Sequence, residues 1–168
     1  RWWAQWLRGE ETGIMREPQL AMYVNAGAPA HPFLPHMPGE WRYEPQWPPA
    51  RAEARSFYLA GPGRLRSEPE AGAAVDQYRH RATVGTAGGF WCPLWQPFGL
   101  HREQSADDAR SLTYTSAPFD KPLEMLGFAK AVLHVMADAE IGFVSVKVCD
   151  VSPDGTSTLV TRGILNLT

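Results

Sequence analysis

The residues able to do chemistry are few, and their spacing is poor. A serine nucleophile of the α/β type sits in Gly-x-Ser-x-Gly, because that tight elbow lifts the hydroxyl into a pocket. The sequence holds no such motif. Cys92 and Cys149 need an adjacent base to act as nucleophiles, and nothing in the sequence places one there. Two cysteines in a chain of this size make no disulfide framework, and they read as small thiols. His31 and His36 stand five apart in a loop broken by proline, so helical ligand spacing is unavailable and no third ligand follows. They read as loop histidines. His80 and His101 lie beside Arg79, Arg81 and Arg102 and read as solvated positions. His134 falls on a strand face that points to a sheet surface rather than to catalysis. The Glu10–Glu11 and Asp107–Asp108 pairs read as solvated charge. Gly85, Gly88 and Gly89 lack the Lys-Ser/Thr and the helix that a phosphate loop requires, so they are turn glycines. The sequence calls for no metal, no cofactor and no catalytic residue.

Aromatic residues are the remaining candidates. Phe90, Trp91 and Trp95 cluster in one stretch, while Trp2, Trp3 and Trp6 belong to a helix and Trp41 and Trp47 to a loop. Such a patch either binds a ligand or packs against a neighbouring domain.

The elements that must position these residues are mostly short strands. The chain has 168 residues, 44% of them apolar and 20% charged, which is the composition of a globular domain. Fifteen Gly and fifteen Pro favour turns over a helical bundle. A net charge of -2 leaves no positive excess for a nucleic acid or an anionic membrane, and no apolar run is long enough to span one.

Trp2, Trp3, Trp6 and Leu7 give the first residues a helical face, with Gly9 placed to end the helix. A helix this short needs a surface to lie on. Its partner is expected upstream of Arg1, and the strand-like end at Ile164–Leu167 suggests that the chain is cut there too. Gln19–Val24 is apolar on both faces and reads as a buried strand. Ala26–Pro49, with seven prolines, reads as a loop pinned by tryptophans. Ser56–Leu59 reads as a strand, and Gly61–Asp108 as turn-rich without helices. Lys130–Ala137 and Phe143–Val151 alternate as strands. Ser152-Pro153-Asp154-Gly155 is a turn, with Ser157–Arg162 as the return strand. The pattern predicts a β-sandwich after a domain boundary near Pro48–Pro49.

Several segments, in order, resemble one family of serine hydrolases, typified by cocaine esterase, X-Pro dipeptidyl-peptidases and α-amino-acid ester hydrolases. Val148-Cys149-Asp150-Val151-Ser152-Pro153-Asp154-Gly155, followed by Leu159–Leu165, resembles the family's Asp-Val-x-Pro-Asp-Gly hairpin. Leu112–Phe119 resembles its Tyr-Thr-Ser-x-Pro-Leu segment, Leu123–Gly127 its Leu-Glu-x-x-Gly step and Thr86–Gly89 its Thr-x-Gly-Gly. Arg1–Gly9 resembles its Trp-rich helix, with Ala4 where Asp is usual, and Glu103-Gln104 stands where Asp-Gln is typical.

The resemblance implies a mainly β chain: an incomplete C-terminal jelly roll over 50–168, preceded over 1–49 by the last helix and strand of an α/β-hydrolase domain. It implies that the Ser, Asp and His of the triad lie upstream of Arg1, so this chain alone is inactive. The implied partners are the N-terminal hydrolase and cap domains, a small ester or X-Pro peptide substrate, and a second copy in a homo-oligomer. Phe90 and Trp91 would then face the active-site cleft as an apolar wall for substrate. The competing readings are a stand-alone β-sandwich that binds carbohydrate and a purely structural or oligomerisation domain.

Overall fold

A computed structural model describes residues 1–31, 34–72, 75–87 and 103–168. In chain order these build helix α1 (Trp2–Arg8), a single 3-10 turn (Ile14–Arg16), strands β1 (Leu20–Asn25), β2 (Gly39–Glu44), β3 (Tyr58–Ala60) and β4 (Arg64–Arg66), helix α2 (Ser105–Asp108), and strands β5 (Phe143–Val151) and β6 (Ser157–Asn166). The described residues are thus mainly β. Their strands pair as three separate antiparallel ladders, β1–β2, β3–β4 and β5–β6. None of the helices is long and apolar enough to cross a membrane, among the described residues.

The chain divides into two units. The first comprises Arg1–Ala28 and Met37–Glu53, the second Pro29–His36 and Ala54–Thr168.

In the first unit α1 ends as its sequence requires. Gly9 takes a left-handed φ of 69°, which a residue without Cβ adopts freely. Trp2 and Trp6, one turn apart, bring their rings to 5.7 Å. The helix buries none of its residues, and Trp3 is 70% exposed. β1 alternates between half-covered Leu20, Met22 and Val24 and exposed Ala21, Tyr23 and Asn25. Its ladder partner β2 lies inside the stretch 26–49 expected to be all loop. Pairing supplies what local sequence does not: Tyr23 stands opposite Trp41, with the rings edge-on at 5.5 Å. Gly39 closes the ladder opposite Asn25, where an added Cβ would collide with the Val24 carbonyl.

In the second unit the long hairpin forms where the alternation and turn place it. β5 has the expected bounds and β6 runs four residues beyond the expected end at Arg162, to Asn166. The turn closes through Gly155 N–H to Ser152 C=O at 2.8 Å. Val148 pairs with Thr161 but Cys149 with Leu159, so Val160 is an extra residue that bulges β6. The expected strand at Lys130–Ala137 does not form, because no neighbouring strand offers it a ladder among the described residues. A short helix, α2, forms in the stretch read as helix-free. Ala60, Leu159 and Pro49 are the buried apolar residues among those described.

Candidate functional site

Among the described residues, a seam of bonded polar groups joins α2 to the base of the β5–β6 hairpin. Glu103 and Gln104 precede α2 and dock on the start of β6. Gln104 N–H donates to the Ser157 carbonyl at 2.8 Å, and Glu103 bridges antiparallel to Thr158. The Glu103 carboxylate accepts from Ser157 N–H at 3.0 Å, from Ser105 N–H at 2.9 Å and from the Ser105 hydroxyl. The Ser105 hydroxyl, and then the Ser157 amide, hold its pKa below the ordinary carboxylate range.

One turn on, Asp108 accepts from Lys147 Nζ and from Ser157 Oγ, each at 2.7 Å. Lys147 also donates to Gln104 Oε1 at 3.1 Å. Lys147 reaches the seam because Lys147 and Cys149 share one face of β5, two residues apart. Burial pushes the Cys149 thiol up, against a lowering hydrogen bond with Ser157, so it stays protonated and a weak nucleophile.

Asp107 departs from its sequence reading. It is 1% exposed, not solvated, and neither carboxylate oxygen has a hydrogen-bond partner among the described residues. Its main chain is anchored instead, with N–H on the Gln104 carbonyl at 3.0 Å and C=O accepting from Ser111 Oγ at 2.9 Å. Asp108 is likewise paired rather than solvated. The signal that could have found the seam is Lys147, the one cation on β5.

The arrangement around Ser157 is not that of a serine nucleophile among the described residues. Ser157 donates its proton to a carboxylate that already carries an ammonium, and no histidine is bonded to it in the seam. No group of three or more His, Cys, Asp or Glu could hold a metal ion among the described residues. His31 and His36 are exposed loop residues. Cys149 is a free thiol, while Cys92, Gly88, Gly89, Phe90, Trp91, Trp95 and His101 lie outside the described residues.

The first unit offers a different surface. A shallow depression of about 430 Å³ is lined by Arg1, Glu17, Pro18, Ala21, Trp41 and Tyr43. Arg1 and Glu17 form an ion pair there. Trp41 and Tyr43 lie on the exposed face of the ladder with Tyr23, whose hydroxyl donates to the Met37 carbonyl at 2.8 Å.

A family model described as the X-Pro dipeptidyl-peptidase C-terminal non-catalytic domain matches residues 12–168. Two curated relatives, each named "Putative serine esterase", come from Mycobacterium bovis and Mycobacterium tuberculosis. Each is 31% identical over 171 residues, covering 95% of this chain and 24% of the relative. The chain therefore spans about a quarter of the length of these relatives. No solved structure matches it.

Proposed function

Because the chain belongs to the X-Pro dipeptidyl-peptidase C-terminal non-catalytic domain family, we propose that it is the β-rich, non-catalytic part of a serine hydrolase acting on small esters or X-Pro peptides. In this reading the nucleophile, its His and its Asp lie outside residues 1–168. Serine attacks the carbonyl, His carries the proton, Asp orients His, and an oxyanion hole takes the developing charge. Residues 1–49 are the tail of the α/β-hydrolase domain, and 50–168 are the start of a jelly roll that packs on it. Phe90 and Trp91 supply an apolar wall to the substrate pocket.

The observation that carries the reading is α1. A seven-residue helix with three tryptophans, each more than half exposed, is too short to stand alone and too apolar to face water. A large hydrolase domain is the cover that the relatives' length and names support. The test is turnover of p-nitrophenyl esters and X-Pro p-nitroanilides by this chain and by the longer gene product. Activity confined to the longer product is expected. Equal turnover by these 168 residues, or none by either, would end the reading.

A second reading has one observation in its favour, the exposed Tyr23, Trp41 and Tyr43 face over the depression near Arg1. Aromatic platforms of this kind bind sugar rings. A saturable change in tryptophan fluorescence on titration with oligosaccharides, lost in Trp41→Ala, would support it.

A further inference from the structure

We infer that the Asp154–Gly155 peptide is a site of isoaspartate formation that the native hairpin turn holds closed, with Ser105 of α2 as its tie. The sequence holds one Asp-Gly step and no Asn-Gly. Both residues are exposed, and the space that an added Cβ would fill at Gly155 is empty. With no side chain on Gly155, nothing shields its amide nitrogen from the carboxyl that precedes it.

The reaction needs no partner but water. The Gly155 nitrogen bonds to Asp154 Cγ, a carboxyl C–O bond breaks, and the OH leaves as water with the amide proton. The succinimide ring then takes up water at either carbonyl. Opening at one returns aspartate. Opening at the other gives isoaspartate, in which the main chain runs through Cγ and the α-carboxyl is left free.

The nitrogen must therefore be free to attack, and the carboxyl must be neutral to lose its OH. The turn opposes both. Gly155 N–H donates to the Ser152 carbonyl at 2.8 Å, and Ser152 N–H to the Thr156 carbonyl at 2.9 Å. Asp154 Oδ1 accepts from Thr156 N–H at 3.0 Å, which turns the carboxyl toward the residue beyond Gly155. The Thr156 amide, and then its hydroxyl, hold the acid below the ordinary carboxylate range, so it stays in the ionised, unreactive form.

The turn is also tied to the seam. Ser105 Oγ donates to the Gly155 carbonyl at 3.3 Å, across 50 residues of sequence. Glu103, which accepts from Ser105 N–H, accepts in addition from Ser157 N–H at the start of β6. Isoaspartate at 154 would lengthen the main chain by a methylene and move the carboxylate away from Thr156. The damage would fall next to Ser157, where the seam begins.

The experiment ages the full gene product at neutral pH, once folded and once in urea. Isoaspartate at position 154 is quantified by enzymatic carboxyl methylation and by electron-transfer fragmentation of the peptide. Formation in the folded protein is expected to be slower than in urea on the order of 10-fold, as for a group that reacts only from an opened turn. Ser105→Ala is expected to speed formation in the folded protein by a few-fold. Equal rates for the wild type folded and in urea would overturn the inference. So would the absence of isoaspartate at 154 in urea, or a folded Ser105→Ala protein that ages no faster than the wild type.

Discussion

The seam around Ser157 and the stretch 129–136 belong to the same unit and treat water in opposite ways. At the seam, Glu103, Gln104, Asp108, Lys147 and Ser157 satisfy one another through bonds of 2.7 to 3.1 Å, across 39 to 54 residues of sequence. Along 129–136 no such closure exists, and Val132 and Met136 stand open. Around Ser157 the polar groups are thus matched within the chain, Asp107 apart, while along 129–136 apolar surface stays exposed. A self-sufficient domain does the reverse, because apolar burial is the main driving force of folding and net hydrogen-bond gains are modest. The contrast is what the proposed reading of these residues as one part of a longer hydrolase expects.

The largest effect expected from breaking the seam is at Lys147. Lys147→Met leaves Asp108 and the Gln104 amide oxygen without their cation, which is expected to lower the stability of the longer product by about 2–3 kcal/mol in urea unfolding. Ser157→Ala removes one donor from Asp108 and is expected to cost about 1–2 kcal/mol by the same measurement. A Lys147 variant as stable as the wild type would mean that the seam is ornamental.

Asp107 sharpens the comparison from the other side. Among the described residues it is the one seam-side carboxylate that lies buried without a donor. Asp107→Asn removes the buried charge and is expected to raise stability by about 1 kcal/mol. A loss of stability would instead place a donor to Asp107 beyond the described residues.

The smallest effect is one of pH. Glu103 is held below its ordinary pKa by the Ser105 hydroxyl and the Ser157 amide. Its contribution is therefore complete above the unfolded-state pKa and fades as pH falls through the folded-state value. The stability gap between wild type and Glu103→Gln is expected to narrow on acidification across the carboxylate range. A gap that stays constant or widens on acidification would contradict the assignment.

Local signals were legible where they act over a few residues. Gly9 ending α1, the Ser152–Gly155 turn and the alternation of β5 could all be read from neighbours in sequence. β2 could not, because the prolines flanking it and its polar residues say loop and only register with β1, through Trp41 on Tyr23, makes it a strand. Lys130–Ala137 shows the converse: strand pattern without a partner yields no strand. The seam stayed hidden for the same reason. Asp107–Asp108 looks like surface charge until Lys147 and Ser157 are brought beside it by the hairpin. Nothing in local sequence announces a partner 39 or 49 residues away.

The central claim is that the chemistry lies outside these residues. The most direct measurement is to treat the longer gene product with a fluorophosphonate and map the labelled serine by mass spectrometry. The account predicts one modified serine, located outside residues 1–168, with Ser157 untouched. Modification of Ser157 or of any other serine within residues 1–168, or no modification at all, would contradict it.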